Sequence, residues 1–191
     1  MNTKGVNFQP SKRGQFSAAV DIRYTVEHWE VKAEVAGVRS VGMTWFVCTI
    51  SKGEPENWDL CKSTELWGIP GKSKLGFTAK EGDHLLFWLG GRGYAGIGTV
   101  MGEARVAKRS SEIPWAGGLA RWSYLIPIRF DLEVKQPLFI GFVRSHQHET
   151  DFTLDKFQRG FAPVPDEPAE MIAERLRLRS ADERAIETSQ S

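Results

Sequence analysis

The chain has 191 residues, with 25 Lys and Arg against 24 Asp and Glu, a formal net charge of +1, 41% hydrophobic residues and seven tryptophans. That length suits one domain with appendages, and the apolar content excludes a chain disordered throughout. A near-zero charge argues against sequence-blind polyanion binding while leaving room for a local basic groove.

Three segments differ in composition. Residues 1–42 carry six basic and four acidic residues and form an N-terminal extension. Its polar first ten residues or so look disordered, and the alternation of Val20, Ile22, Tyr24 and Val26 predicts an added hairpin. The opening MNTKGVNFQPSKRG lacks a signal-type apolar stretch, and no run nears the roughly 18 apolar residues of a membrane span. Residues 43–163, with fifteen basic and thirteen acidic residues, hold every tryptophan except Trp29 and make up the folded domain. Residues 164–191 carry four basic and seven acidic residues and read as an acidic tail, partly helical or disordered. Cys48 and Cys61 are too few for a disulfide framework, so a reducing, cytoplasmic location is expected.

Within the body, strand signals dominate. Met43–Ile50 (MTWFVCTI) predicts a buried strand, and Glu54–Lys62 a short helix with Pro55 in its first turn. Leu66–Phe77, with three glycines and a proline, predicts a loop. His84–Leu89 and Ala95–Val106 predict strands joined by a turn at Gly90-Gly91-Arg92-Gly93. Lys108–Arg121 reads as a loop, and Trp122–Val134 as a strand whose Pro127 marks an edge or bulge. Leu138–Phe142 suggests one more short strand and Thr153–Arg159 a capped helix. Short strands with few helices imply an α+β, mainly β architecture: a small, curved, partly closed barrel flanked by short helices.

Catalytic motifs fail on inspection. Gly71-Lys72-Ser73 lacks the earlier glycine of a phosphate loop, since that position is Leu66. Gly91-x-Gly93-x-x-Gly96 is followed by strand-like Ile97-Gly98-Thr99-Val100 rather than by a helix that could hold a pyrophosphate. His146 and His148 have no ligand partners at metal-binding spacing, and turn chemistry explains Glu81 and Asp83. No catalytic residues, metal or cofactor are assigned.

The tryptophans carry more information. Trp45, Trp58 and Trp88 sit in apolar periodic segments, where core packing explains them. Trp67, Trp115 and Trp122 lie in or beside Gly- and Pro-rich loops, where they either pin the loops to the barrel or wall a pocket that stacks a flat or cationic group. Lys72, Lys74, Arg92, Lys108, Arg109 and Arg121 share those loops and suit a phosphate backbone.

The succession Trp45-Phe46-Val47-Cys48-Thr49-Ile50-Ser51-Lys52, Glu65-Leu66-Trp67-Gly68, Glu81-Gly82-Asp83-His84-Leu85-Leu86-Phe87-Trp88 and Gly96-Ile97-Gly98-Thr99-Val100 resembles the EVE domain, over about residues 43–162. That family belongs to the PUA-like superfamily and is related to YTH domains. The resemblance implies a barrel that inserts a flipped or unpaired modified base, in DNA or RNA, into an aromatic cage. Trp67 stands at the place of one cage tryptophan of YTH-type readers, with Gly68-Ile69 where they have Cys-Ser. Trp115 and Trp122 stand in the loop that supplies the others. Ser51 and Lys52 match a ligand-contacting position, and the Ser51 and Gly68 region would read the base edge. Lys72, Lys74, Arg92 and Arg121 would then meet the phosphate backbone, and a separate effector protein is a possible partner.

The expected function is thus a non-catalytic reader of a modified, methylated base. Two alternatives stand beside it. One is a nucleotide- or RNA-processing hydrolase using His84, His146 or His148. The other is a module that takes a peptide or methylated amine in the same pocket.

Overall fold

A computed structural model describes residues 43–70, 78–140 and 154–190. The predicted N-terminal hairpin lies outside the described residues, and all of the described residues belong to a compact unit that begins at Gly42.

Strand β1 (Trp45–Ile50) pairs in parallel with β3 (His84–Leu89), Trp45 opposite His84 and Ile50 opposite Leu89. Side chains alternate across the pleat. Phe46, Cys48, Leu85 and Phe87 enter one apolar cluster, while Trp45, Val47, Leu86 and Trp88 enter another. Both faces of this part of the sheet are therefore covered, which explains why the two runs are apolar without interruption.

Around this pair the chain adds β2 (Leu66–Pro70), β4 (Gly93–Val100), β5 (Arg105–Val106), β6 (Trp122–Leu138) and β7 (Phe161–Val164). The sheet order is β2-β6-β4-β3-β1-β7, with β5 also on β6. Strand β6 bends through register shifts against β4, and such irregularities increase local twist and curvature. Pro127 has no N–H to give, and its carbonyl accepts from the Met101 N–H at 2.9 Å. Helix α1 (Asn57–Thr64) buries Trp58 and Cys61 against the first cluster. The one-turn α2 (Gly118–Arg121) and α3 (Leu154–Gln158) precede β6 and β7. This is the expected α+β, mainly β architecture, a curved sheet flanked by helices.

Several expectations change. Leu66–Pro70 is a strand, because the ladder to β6 outweighs the local glycine and proline signals. Ala95–Val106 divides into β4 and β5, and β6 runs on to Leu138, the first residue of the expected Leu138–Phe142 strand, of which 141–142 lie outside the described residues. The boundary drawn at residue 163 cuts β7, whose last residue is Val164. The acidic tail is a continuous helix, α4 (Asp166–Gln190), and its Ala169, Ile172, Ala173 and Leu176 are buried in the second cluster. Their i, i+3, i+4, i+7 spacing is one helical face. It is short enough to hide among charges. Trp45 secures the helix by donating from Nε1 to Glu170 Oε1 at 3.1 Å.

Candidate functional site

A cavity of about 320 Å³ opens between the two edges of the sheet. The end of β1, strand β2, the start of α1, the loop from Trp115 to Trp122 and the turn from α3 into β7 all contribute to its wall. Its volume is at the small end of the roughly 300–1,000 Å³ range of ligand pockets. Trp67, Trp115 and Trp122 meet there, as do Ser51, Gly68 and Arg121.

The three indoles are held differently. Trp67 lies on β2 opposite Ile126, is 3% exposed, and packs at 5.9 Å from the Phe87 ring. It is a core residue with one edge on the cavity, not a loop residue. Trp115 is 4% exposed and lies directly on Gly68, where a Cβ would stand 2.6 Å from Trp115 Cζ3. Glycine at 68 is thus required by the approach of an indole. Trp115 also hydrogen-bonds the Cys61 thiol, which burial nevertheless pushes up to about 12. Trp122 is half-buried, tilted 54° from Trp115 with ring centres 5.6 Å apart, and its Nε1 donates to the Ala116 carbonyl at 2.9 Å. Gly117, at φ 92°, makes the turn that brings Trp122 back beneath Trp115.

Polar groups gather at the same mouth. The Arg121 guanidinium carbon lies 4.5 Å from the Trp122 ring centre. Its two terminal nitrogens fork onto Glu54, Nη2 to Oε2 at 2.6 Å and Nη1 to Oε1. This fork holds the Glu54 carboxyl below its usual value. Asn57 Nδ2 donates to Glu54 Oε2 at 3.4 Å. Ser51 Oγ accepts from the Gly53 N–H at 3.2 Å and so shapes the turn after β1.

Other predicted residues are not brought to this wall. Lys52 is exposed and its stem runs beside Gly91 at the β3–β4 turn, where a Cβ would stand 3.4 Å from Lys52 Cδ. Arg92, at that turn, lines a separate shallow concavity with Glu133 and Lys135. Lys72 and Lys74 lie outside the described residues, as do His146 and His148. His84 packs at 4.7 Å against Trp45 rather than in the cavity wall. The Asp83 carboxylate accepts the N–H groups of Thr44 at 2.8 Å and Lys80 at 2.7 Å, a turn-forming role. Among the described residues no three His, Cys, Asp or Glu side chains cluster to hold a metal ion, and no helix is long and apolar enough to cross a membrane.

Sequence reasoning missed Glu54, Asn57 and Arg159, which all line the cavity. Glu54 entered only as the first residue of the predicted Glu54–Lys62 helix. No local pattern links it to Arg121, sixty-seven positions on.

No protein-family model matches the chain, and no curated protein does. Solved structures do. The NMR structure of Rpa0253 from Rhodopseudomonas palustris is similar with a TM-score of 0.50 at 16% identity, covering 71% of this chain and 94% of that one. The Toxoplasma CPSF4 YTH domain, crystallised in complex with a 7-mer m6A-modified RNA, is similar with a TM-score of 0.51 at 17% identity, covering 72% and 93%. At such identities the likeness is one of fold, and the chain has a small, mainly β, α+β fold like that of the YTH domain.

Proposed function

We propose that this protein is a non-catalytic module, of EVE type, that binds a modified base of a nucleic acid by drawing it out of the strand into the cavity. The observation that carries the proposal is the convergence of three tryptophans, one from β2 and two from the Trp115–Trp122 loop, on one cavity of about 320 Å³ with a guanidinium at its mouth. The fold shared with a YTH domain crystallised with m6A-modified RNA supports RNA as the polymer.

The energetics fit. Unstacking a base costs a few kcal/mol. Stacking on indoles returns about 1–3 kcal/mol per base. The half-buried Trp122 serves as the stacking wall, with the buried Trp115 and Trp67 closing the inner end. The Ser51 and Gly68 backbone and the Asn57 amide are within the wall to read the base edge. Arg121 and Arg159 are the cations of that wall, and they would meet phosphate once a strand is bound. A methyl group on the base fills the cage and replaces a polar edge site that would otherwise be desolvated without a partner. A separate effector protein would act on the bound strand.

The test is a binding screen of modified and unmodified RNA and DNA oligonucleotides at two salt concentrations, read by tryptophan fluorescence. Modified RNA should bind most tightly, more weakly at higher salt, and Trp122→Ala should lose roughly tenfold or more in affinity. Full affinity in that variant, or no binding of any oligonucleotide, defeats the proposal. Trp122 is the right probe because Trp67 is buried in the core and its loss would disturb the fold.

A further inference from the structure

In the cavity wall, Arg121 stands as a ligand would. Its guanidinium is a flat cation over the Trp122 ring, 4.5 Å from the centre. Two of its N–H groups point side by side into the Glu54 carboxylate. Glu54 is steadied by Asn57 and both acid and base line the cavity. Neither partner is deeply buried, with 42% of the Arg121 side chain and 27% of the Glu54 side chain exposed, so the pair can part without leaving a charge stranded in an apolar interior.

Resting on the base-reading function above, we propose that Glu54 selects the base and that the ligand is an N7-methylated guanine. Of the four common bases, only guanine presents two adjacent N–H donors, N1–H and the 2-amino group, in the arrangement of a guanidinium edge. A carboxylate accepts both in a fork, as Glu54 now accepts Arg121. Methylation at N7 leaves those donors intact, makes N1–H the stronger donor and spreads a positive charge over the ring. A positive ring is drawn to the face of an indole as the guanidinium is. Adenine methylated at N6 offers a single donor beside an acceptor nitrogen, and that acceptor would face a carboxylate oxygen. A quaternary methylammonium has no N–H for Glu54. Arg121 is the resident competitor. It must swing off Trp122 when the base enters, and its guanidinium is then free for a phosphate oxygen.

Titration of the full chain with nucleosides, read by quenching of tryptophan fluorescence, tests this. 7-Methylguanosine should bind at least tenfold more tightly than guanosine, N6-methyladenosine or 1-methylguanosine, the last having lost the N1 donor. Glu54→Gln should cancel roughly tenfold of that preference, with an unchanged near-UV spectrum showing that the fold survives. Arg121→Ala should bind the nucleoside, which has no phosphate, several-fold more tightly because the competitor is gone. A preference for N6-methyladenosine or a trimethyl-lysine peptide, an indifferent Glu54→Gln, or weaker nucleoside binding by Arg121→Ala overturns the inference. Modified oligonucleotides that still bind through Trp122 would leave the base-reading function standing. Failure of every base takes both down. An RNA with one internal 7-methylguanine, compared with a capped dinucleotide, separates the two sources of this base.

Discussion

Two tryptophan-rich regions lie on opposite faces of the same sheet, and burial does not distinguish them. Trp45 is 3% exposed and Trp115 is 4% exposed. On the α4 face, each large ring is answered by another. Trp88 meets Tyr94 and Phe157 with ring centres 4.9 Å away in both cases, and Trp45 meets His84 and hydrogen-bonds Glu170. On the cavity face, Trp115 rests on a glycine, and Trp122 on a guanidinium that is itself half-exposed. What separates a structural indole from a binding one here is the space beside it. On the α4 face the rings pack against Ala169, Ile172, Ala173 and Leu176, whereas the other face keeps a cavity of about 320 Å³.

The largest effect that would sharpen this contrast is on the α4 face. Trp45→Ala should cost about 3–5 kcal/mol in denaturant unfolding, since it opens a void and unties α4. Trp45→Phe, which keeps a ring but loses the bond to Glu170, should cost nearer 1 kcal/mol. On the other face, Gly68→Ala puts a methyl group into the Trp115 ring and should cost about 1–3 kcal/mol. It should also weaken oligonucleotide binding, because Trp115 has to leave its seat. A Gly68→Ala protein with full stability would mean that Trp115 is loosely held.

Trp122→Ala comes next. Its half-exposed ring should contribute under about 1.5 kcal/mol to stability, within the ordinary range for single substitutions, while binding suffers most. A loss as large as that of Trp45→Ala would erase the distinction between the faces. The Glu54–Arg121 pair should matter still less to stability, at most about 1 kcal/mol at its half-exposed position. Arg121 lowers the carboxyl of Glu54, so the contribution is fully present above the ordinary carboxylate value and is lost as pH falls through the lowered one. The melting-temperature gap between wild type and Glu54→Gln should accordingly be widest at neutral pH and vanish in acid. Last, burial raises the thiols of Cys48 and Cys61, so neither should be alkylated in the folded protein at neutral pH. Prompt labelling of Cys61, detected by mass spectrometry, would show that the cavity floor opens.

Much of the barrel was legible because its signals are local. The run His84–Leu89 is a strand with those same bounds, and the Gly90–Gly93 turn follows it as expected. Helix α1 falls inside the predicted Glu54–Lys62 segment except at its end, where it continues to Thr64. The failures share a cause. Gly68 and Pro70 signal a loop within their own neighbourhood, yet they pair with β6 more than fifty residues on. Helix α4 buries four small or branched residues among charges, and only the waiting face of the sheet makes that stripe significant.

The tryptophan census of the sequence was enough to nominate Trp67, Trp115 and Trp122 together, since an indole beside glycines has little local surface to bury it. Tertiary structure alone decided that Trp67 is mostly core, that Lys52 and Arg92 face away from the cavity wall, and that Glu54 and Arg121 meet. The physical reason is range. Pleat, turn and helical period act over a few residues and are written in order along the chain. An ion pair across a cavity depends on where two distant segments are carried by a sheet that closes only in three dimensions.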